Sequence, residues 1–140
     1  MRNTTLIRSL LLVGLVLTTS AWATQPFAVD LQVNNLTNQT LIPVASLNYE
    51  QNGQMNWQVP IPTSSIHIAP HTQHVSIDNR NQLTAYDLNY LDFQDINGKL
   101  VVSCLEDYYA TSTSINLIFT VAESNSAPGR YVCKHQTLPF

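Results

Sequence analysis

Residues 86–105 read YDLNYLDFQDINGKLVVSCL, and this stretch decides the fold class that the sequence predicts. Two apolar-patterned runs, residues 86–96 and 99–105, flank the pair Asn97-Gly98. Asn-Gly between two such runs is the strongest short-range signal of a β-hairpin, because both turn residues must then adopt positive φ. The stretch therefore predicts two strands that pair across a tight turn.

Strand patterns recur along the chain at the short intervals expected of an all-β domain. In residues 27–33 apolar side chains alternate with Ala, Asp and Gln, which indicates a half-buried strand. Further runs with strand patterning cover residues 41–47, 57–59, 65–69, 73–78, 115–121 and 131–134. About eight strands in one domain, residues 24–140, predict an all-β fold, either a compact antiparallel β-sandwich or a small barrel.

Turn and breaker residues divide these runs. Pro43 predicts that its strand lies at an edge or contains a bulge. Asn52-Gly53 marks a turn ahead of Trp57. The polar stretch 79–82 predicts a break between two separate strands.

Residues 1–23 have the three-part layout of a cleavable secretory signal. Arg2 and Arg8 precede an apolar run over residues 10–17, and an A-x-A pattern places the cut after Ala23. That run is far shorter than the roughly 20 residues of a membrane-spanning helix. We therefore expect an exported protein, secreted or periplasmic, with no transmembrane segment after cleavage.

The charge of the chain narrows the range of partners. It contains six Lys and Arg against nine Asp and Glu, and 11% of its residues are charged, where about 25% is typical. So few positive charges exclude the electrostatic surface of a nucleic-acid-binding protein. A surface of neutral hydrogen-bonding groups suits a protein, glycan or cell-surface partner.

The two cysteines, Cys104 and Cys133, predict a disulfide, because an exported chain with an even number of cysteines usually pairs them. Their spacing is unlike that of a zinc motif.

After the predicted signal the chain has only Gly53, Gly98 and Gly129, too few for a phosphate-cradling loop. It also lacks G-x-S-x-G and H-E-x-x-H. We expect no cofactor, and the sequence favours a non-enzymatic protein without deciding the question.

Three histidines form the clearest candidate metal site. If residues 65–69 and 73–78 pair as a hairpin, His67 lies opposite His74, with Cβ atoms about 4.5 to 5.5 Å apart. Two such imidazoles can share a metal ion, and His71 in the turn, or the distant His135, can complete the set of ligands. The alternative is that these side chains only form a polar outer face, because two histidines without a nearby Cys, Asp or Glu make an incomplete site.

Acidic side chains allow a second enzymatic hypothesis. Two carboxylates roughly 5 to 10 Å apart are the minimum for glycoside hydrolysis. The alternative is that they are solvated carboxylates at strand ends, as on any acidic surface. The candidates are Asp87, Asp92, Asp95, Glu106 and Asp107. A small hydrolase or metal protein is therefore one alternative function.

Aromatic side chains are more numerous than one strand face can hide. Tyr86 and Tyr90 share the parity of Leu88 along their strand, whereas Phe93 shares that of Leu91. Some rings must therefore be exposed, where Tyr and Trp favour sugar faces, lipid headgroups or partner surfaces. The expected binding residues are Trp57, Tyr90, Tyr108 and Tyr109. The favoured function is an exported, non-enzymatic recognition module.

Part of the chain resembles a family of membrane-binding proteins. Over residues 27–78, the order of strands, the Asn52-Gly53 turn, Trp57 and an I-x-P segment before a polar strand resemble aegerolysin-like β-sandwich cytolysins. The resemblance implies binding at a membrane surface as a further alternative function. It assigns no role to any single residue.

Overall fold

The computed structural model describes residues 25–61, 65–105, 108–110 and 112–140. The predicted signal peptide, residues 1–23, lies outside the described residues. The described part contains eight strands and no helix, which confirms the predicted all-β class. It accordingly has no helix of the length and hydropathy that crossing a membrane requires.

The strands form one mixed sheet. In chain order they are β1 (Phe27–Asn35), β2 (Ile42–Gln51), β3 (Gln54–Pro60), β4 (Thr72–Gln94), β5 (Leu100–Leu105), β6 (Tyr108–Ala110), β7 (Ile115–Glu123) and β8 (Tyr131–Pro139). Their order in the sheet is β3-β2-β4-β1-β7-β8, and β5 and β6 also pair with β4. Six described pairings are antiparallel, as expected. The pairing of β1 with β7 is parallel, so the sheet is mixed rather than purely antiparallel.

The core follows the alternation that the sequence predicts. In β1 every second side chain is buried, because successive residues of a strand point to opposite faces. Apart from Ile118, the buried apolar residues of β1 and β7 are Phe27, Val29, Leu31, Val33, Ile115, Leu117, Phe119 and Val121. They belong to one hydrophobic cluster that also includes residues of β2 and β4. The described strands therefore share a single core.

β4 is the longest strand, with 23 residues, and it continues through residues 79–82, where the sequence predicted a break. Its first part pairs with β1 and its second part with β2. A straight strand of this length would be about 75 Å long, far longer than a domain of this size is wide. Residues with positive φ, 56° at His74 and 55° at Gln82, accompany irregularities in the pairing, and such bulges bend a strand.

Both Asn-Gly pairs form turns, but the two turns differ. Asn52 and Gly53 have φ values of 52° and 75°, as a two-residue hairpin loop between β2 and β3 requires. At the other turn Gly98 has a φ of 79°, whereas Asn97 is not among the positive-φ residues. The predicted hairpin of β4 with β5 is confirmed, and the expectation that both residues of its turn have positive φ is wrong.

The hairpin predicted between residues 65–69 and 73–78 is wrong. β4 pairs with β1 there, and Ile68 instead forms an isolated bridge to Leu41. The buried amide of Asn35 donates from Nδ2 to the carbonyl of Ile68 and to that of the next residue, both at 3.1 Å. The carbonyl of Ile68 also accepts the N–H of Leu41 at 3.0 Å, so the bridge and the Asn35 amide together hold this segment.

Pro43 lies where its missing N–H is best tolerated. β2 pairs with β4 along its whole length, whereas β3 pairs with β2 only from Ser46 onward. Pro43 therefore lies in the part of β2 that has one neighbouring strand, which agrees with the edge position that the sequence predicts.

The predicted disulfide is confirmed. Cys104 in β5 and Cys133 in β8 are bonded, with their Cα atoms 5.0 Å apart and a sequence separation of 29. β5 pairs with β4, whereas β8 pairs with β7. The bond therefore joins two strands that are not neighbours in the sheet.

Candidate functional site

A β-bulge in β3 turns Trp57 outward. Trp57 and Gln58 together lie opposite a single residue of β2, Asn48. Gln58 adopts the left-handed conformation, with a φ of 50°, and its N–H donates to Oδ1 of Asn48 at 2.8 Å. Bulges of this kind change the direction of the side chains beside them. Trp57 is 67% exposed.

A second bulge, in β4, turns Tyr90 outward. Leu88 pairs with Leu47 of β2, and the next pair is Tyr90 with Ser46. Asn89 is therefore an extra residue that shifts the alternation of side chains by one position. As a result Leu88 is fully buried while Tyr90, two residues later, is 41% exposed.

Side-chain hydrogen bonds connect the two bulges. Nδ2 of Asn48 donates to Oδ1 of Asn89 at 2.9 Å, and Nδ2 of Asn89 donates to Oδ1 of Asn48 at 3.2 Å. Asn89 also donates to Oγ of Ser46, and Asn48 donates to Oδ2 of Asp87, both at 3.3 Å. The hydrogens of both amide groups are thus committed, which fixes the orientation of these side chains.

An open cleft of about 830 Å³ lies above this network. We call it the Trp57 cleft, and it is lined by Ser46, Asn48, Trp57, Gln58, Pro60, Asn89 and Tyr90. None of these residues is charged at neutral pH. Aromatic rings with a few fixed polar groups are typical of a binding site.

Tyr109 lies on the same face of the sheet as the cleft. It is 63% exposed and pairs with Asp87, which in turn pairs with Asn48. Residues directly opposite one another on neighbouring antiparallel strands share a face. Tyr109 is therefore one strand beyond β4, at the side away from Trp57.

Tyr108 has a different environment from the other predicted binding residues. It is half-buried, packs against the hydrophobic core and makes an edge-to-face contact with His135, with ring centroids 6.1 Å apart. Burial raises the pKa of its phenol. The structure therefore brings Trp57 and Tyr90 together, adds Tyr109 on the same face and leaves Tyr108 apart.

The histidines proposed as metal ligands do not face one another across a strand pair. His67 is exposed and precedes the bridge between Ile68 and Leu41, outside β4. Nε2 of His71 lies 2.7 Å from Oδ1 of Asn38, and Nδ1 of His74 lies 3.2 Å from Oε1 of Gln32. Among residues 25–61, 65–105, 108–110 and 112–140, no three His, Cys, Asp or Glu residues are grouped as a metal site would require.

One of the acidic residues has a structural role. Oδ1 of Asp95 accepts hydrogen bonds from the N–H groups of Asn97 at 2.8 Å and Lys99 at 2.9 Å, and so closes the turn between β4 and β5. Glu106 and Asp107 lie outside the described residues. The proposed hydrolytic pair thus gains no support from Asp95.

A partly buried polar cluster lies on the face opposite to the cleft. Nε of Arg80 is 3.0 Å from Oδ2 of Asp78, and the guanidinium lies over the ring of Tyr49, 4.1 Å from its centroid. Burial raises the pKa of Asp78, although Arg80 acts in the opposite direction. Burial also raises the pKa of Tyr86 well above its usual value, and the charge of Asp78 adds to this.

Sequence reasoning missed the polar half of the cleft. Ser46, Asn48, Gln58 and Asn89 were not among the predicted site residues. Asn is depleted in strands, so Asn89 inside one apolar-patterned run and Asn48 directly after another were a signal that could have found them. The comparisons with known proteins do not extend this result: no family model matches the chain, and no curated protein matches it either.

Proposed function

We propose that this protein is an exported, non-enzymatic recognition module that binds its ligand in the Trp57 cleft. The observation that carries the proposal is the convergence of Trp57 and Tyr90 over a network of fixed, neutral amides. Both aromatic side chains are exposed, and holding them outside the core requires a bulge in each of two strands. Exposed aromatic clusters with polar surroundings are common at contact sites.

Backbone conformation supports a functional reason for the cleft. A residue other than Gly in the left-handed region is uncommon and costs about 1 to 2 kcal/mol. Gln58 adopts this conformation beside Trp57. Retaining it at an exposed position of β3 is consistent with selection for the direction of the Trp57 side chain.

Alanine substitution at Trp57 and Tyr90 tests the proposal. Purified protein is screened against glycans, lipid vesicles and cell surfaces, so membrane binding of the aegerolysin-like kind is one of the possible outcomes. We expect Trp57→Ala and Tyr90→Ala each to weaken binding by about 1 kcal/mol or more while the melting temperature stays close to that of the unchanged protein.

Two control variants accompany this screen. Met55→Ala removes another exposed side chain of β3 outside the cleft and should leave binding unchanged. Phe119→Ala removes a fully buried ring and should cost about 3 to 5 kcal/mol of stability. If Trp57→Ala and Tyr90→Ala lower stability as Phe119→Ala does and no binding is found, the cleft is not the functional site.

The proposal also includes export, through cleavage after Ala23. Intact mass and amino-terminal sequencing of protein collected outside the cytoplasm should give a chain that begins at Thr24. A retained Met1 in that fraction would contradict this part of the proposal.

A further inference from the structure

The Trp57 cleft contains no charged side chain in its lining, and this limits the ligands that it suits. Its lining consists of two aromatic rings, a proline, three amides and a hydroxyl. An anionic or cationic ligand would lose hydration there without gaining an opposite charge in the lining. Asp87 accepts a hydrogen bond from Asn48 at the edge of the network, which makes an anionic ligand still less favourable.

The polar side chains that line the cleft are well suited to bind hydroxyl groups. Ser46 Oγ accepts a hydrogen bond from Asn89, so the Ser46 proton is available to a ligand oxygen. Asn89 Oδ1 accepts one bond, from Asn48, and an amide oxygen has a second lone pair. A ligand hydroxyl both donates and accepts, and it can therefore bond Ser46 and Asn89 together.

Trp57 and Tyr90 offer the complementary apolar surface. The carbon-bound hydrogens on one face of a sugar ring pack against an aromatic ring, whose face is electron-rich. The outward face also continues from Asn48 across Asp87 to Tyr109. Three strand spacings separate β3 from β6, about 14 Å, which is longer than one sugar ring.

From this arrangement we propose that the Trp57 cleft binds a neutral oligosaccharide, with one ring stacked on Trp57 and the hydroxyls of the chain bonded to the Ser46 and Asn89 side chains. This inference rests on the proposed function and names the class of ligand. It requires no charged group of the ligand, so binding depends little on ionic strength.

The emission of Trp57 gives a direct test. The chain has two tryptophans, Trp22 and Trp57, so in a full-length Trp22→Phe protein the fluorescence reports on the cleft alone. This protein is titrated with dextran, xylan and chitin oligosaccharides, and with polygalacturonate as the anionic control. We expect at least one neutral saccharide to shift the emission to shorter wavelength, at low and high salt alike, and polygalacturonate to leave it unchanged.

Substitutions test whether a shift in the Trp57 emission depends on the residues that line the cleft. Asn89→Ala in the Trp22→Phe protein should weaken the saccharide response about fivefold or more, whereas Met55→Ala should not change it. Trp57→Ala is followed by retardation in native gels that contain the saccharide, where we expect about tenfold weaker binding. Circular dichroism and thermal unfolding of each variant exclude loss of fold as the cause.

The outcomes separate this inference from the proposed function. If lipid vesicles or polygalacturonate shift the Trp57 emission and no neutral saccharide does, the oligosaccharide inference is wrong while the cleft remains a binding site. If a saccharide binds without changing Trp57 emission and Trp57→Ala leaves its affinity unchanged, the inference is also wrong. Failure of every neutral saccharide in both assays contradicts it as well.

Discussion

Tyr86 and Tyr90 show how one extra residue separates two similar side chains. Tyr86 and Leu88 are fully buried, and Tyr90 would share their face in a regular strand. Because Asn89 is inserted between them, Tyr90 faces outward while Leu91 and Phe93 enter the core. The parity conflict seen in the sequence is therefore resolved by the backbone rather than by exposing Phe93.

The hydroxyl of Tyr86 gives a prediction about pH. It is buried and has no hydrogen-bond partner within the described part of the chain. Because burial raises the pKa of this phenol, the unfolded chain releases the proton at a lower pH than the folded protein does. The folded state is therefore fully favoured by this group below about pH 10 and progressively loses that stability above it.

Tyr86→Phe should remove both the unsatisfied buried hydroxyl and the loss of stability that it causes above pH 10. At neutral pH we expect the variant to be as stable as the unchanged protein or more stable by about 1 kcal/mol, because an unsatisfied buried group is removed. Above pH 10 it should lose less stability. Urea unfolding at both pH values measures this, with Tyr109→Phe, an exposed tyrosine, as the control. A marked loss of stability at neutral pH would show that the hydroxyl has a partner.

The same type of β-bulge occurs in two pairs of strands. In β2 and β3, the N–H of Gln58 donates to Asn48; in β1 and β4, the N–H of His74 donates to Oδ1 of Asn34, also at 2.8 Å. Both donors have positive φ, 50° and 56°. An Asn side chain thus stabilises a left-handed residue on the neighbouring strand in each case, but only one of the bulges carries a tryptophan.

Asn34→Ala is therefore a matched control for Asn48→Ala. Each variant removes the acceptor of one such N–H, which we expect to cost about 1 kcal/mol of stability in urea unfolding. Asn48→Ala also removes the hydrogen bonds with Asn89 and Asp87, so its loss of stability should be the larger. Only Asn48→Ala should also change the emission of Trp57 in the Trp22→Phe protein, because Asn48 holds the bulge beside it. An equal spectral change in both variants would mean that the bulge does not control the orientation of Trp57.

At this scale the sequence predicts regular elements well and irregular ones poorly. The alternation in residues 27–33 and the Asn97-Gly98 hairpin depend on local patterns, and both are present in the structure. The break predicted at residues 79–82 is wrong because a polar run can continue a strand when its neighbours supply the hydrogen bonds. The bulge at Asn89 depends on the register between β2 and β4, which are far apart in sequence. The bulge at Gln58 lies within the β2–β3 hairpin, where Asn52-Gly53 predicts the turn but not the extra residue.

The disulfide gives a prediction at the scale of the whole molecule. By the loop-entropy estimate, a bond that closes a loop of this size contributes about 3 to 4 kcal/mol. We expect Cys104→Ala/Cys133→Ala to lose that much stability in denaturant unfolding. The reduced form of the unchanged protein is the control, because it lacks the bond but keeps both sulfur atoms. Equal stability of the oxidised and reduced forms would contradict the prediction.

The arrangement of the whole sheet is the part that the sequence could not supply. The cysteines predict their own pairing, since two allow only one bond. Nothing in residues 27–33 or 115–121 indicates that β1 and β7 run parallel, because side-chain alternation is the same in both directions. The sequence therefore names four aromatic residues for the binding surface but not their positions relative to one another. The strand order brings Trp57 and Tyr90 together.

The parallel pairing of β1 with β7 also determines when the molecule can fold. The N–H of Ala28 donates to Oγ of Ser114, 86 positions later in the chain. Sheets with such distant partners fold slowly, typically in milliseconds to seconds, because a long loop must close before its contacts form. During synthesis β1 is made first, and β7, the second strand that pairs with it, is made only after most of the chain. Until β7 has been synthesised, one edge of β1 therefore has no strand to pair with.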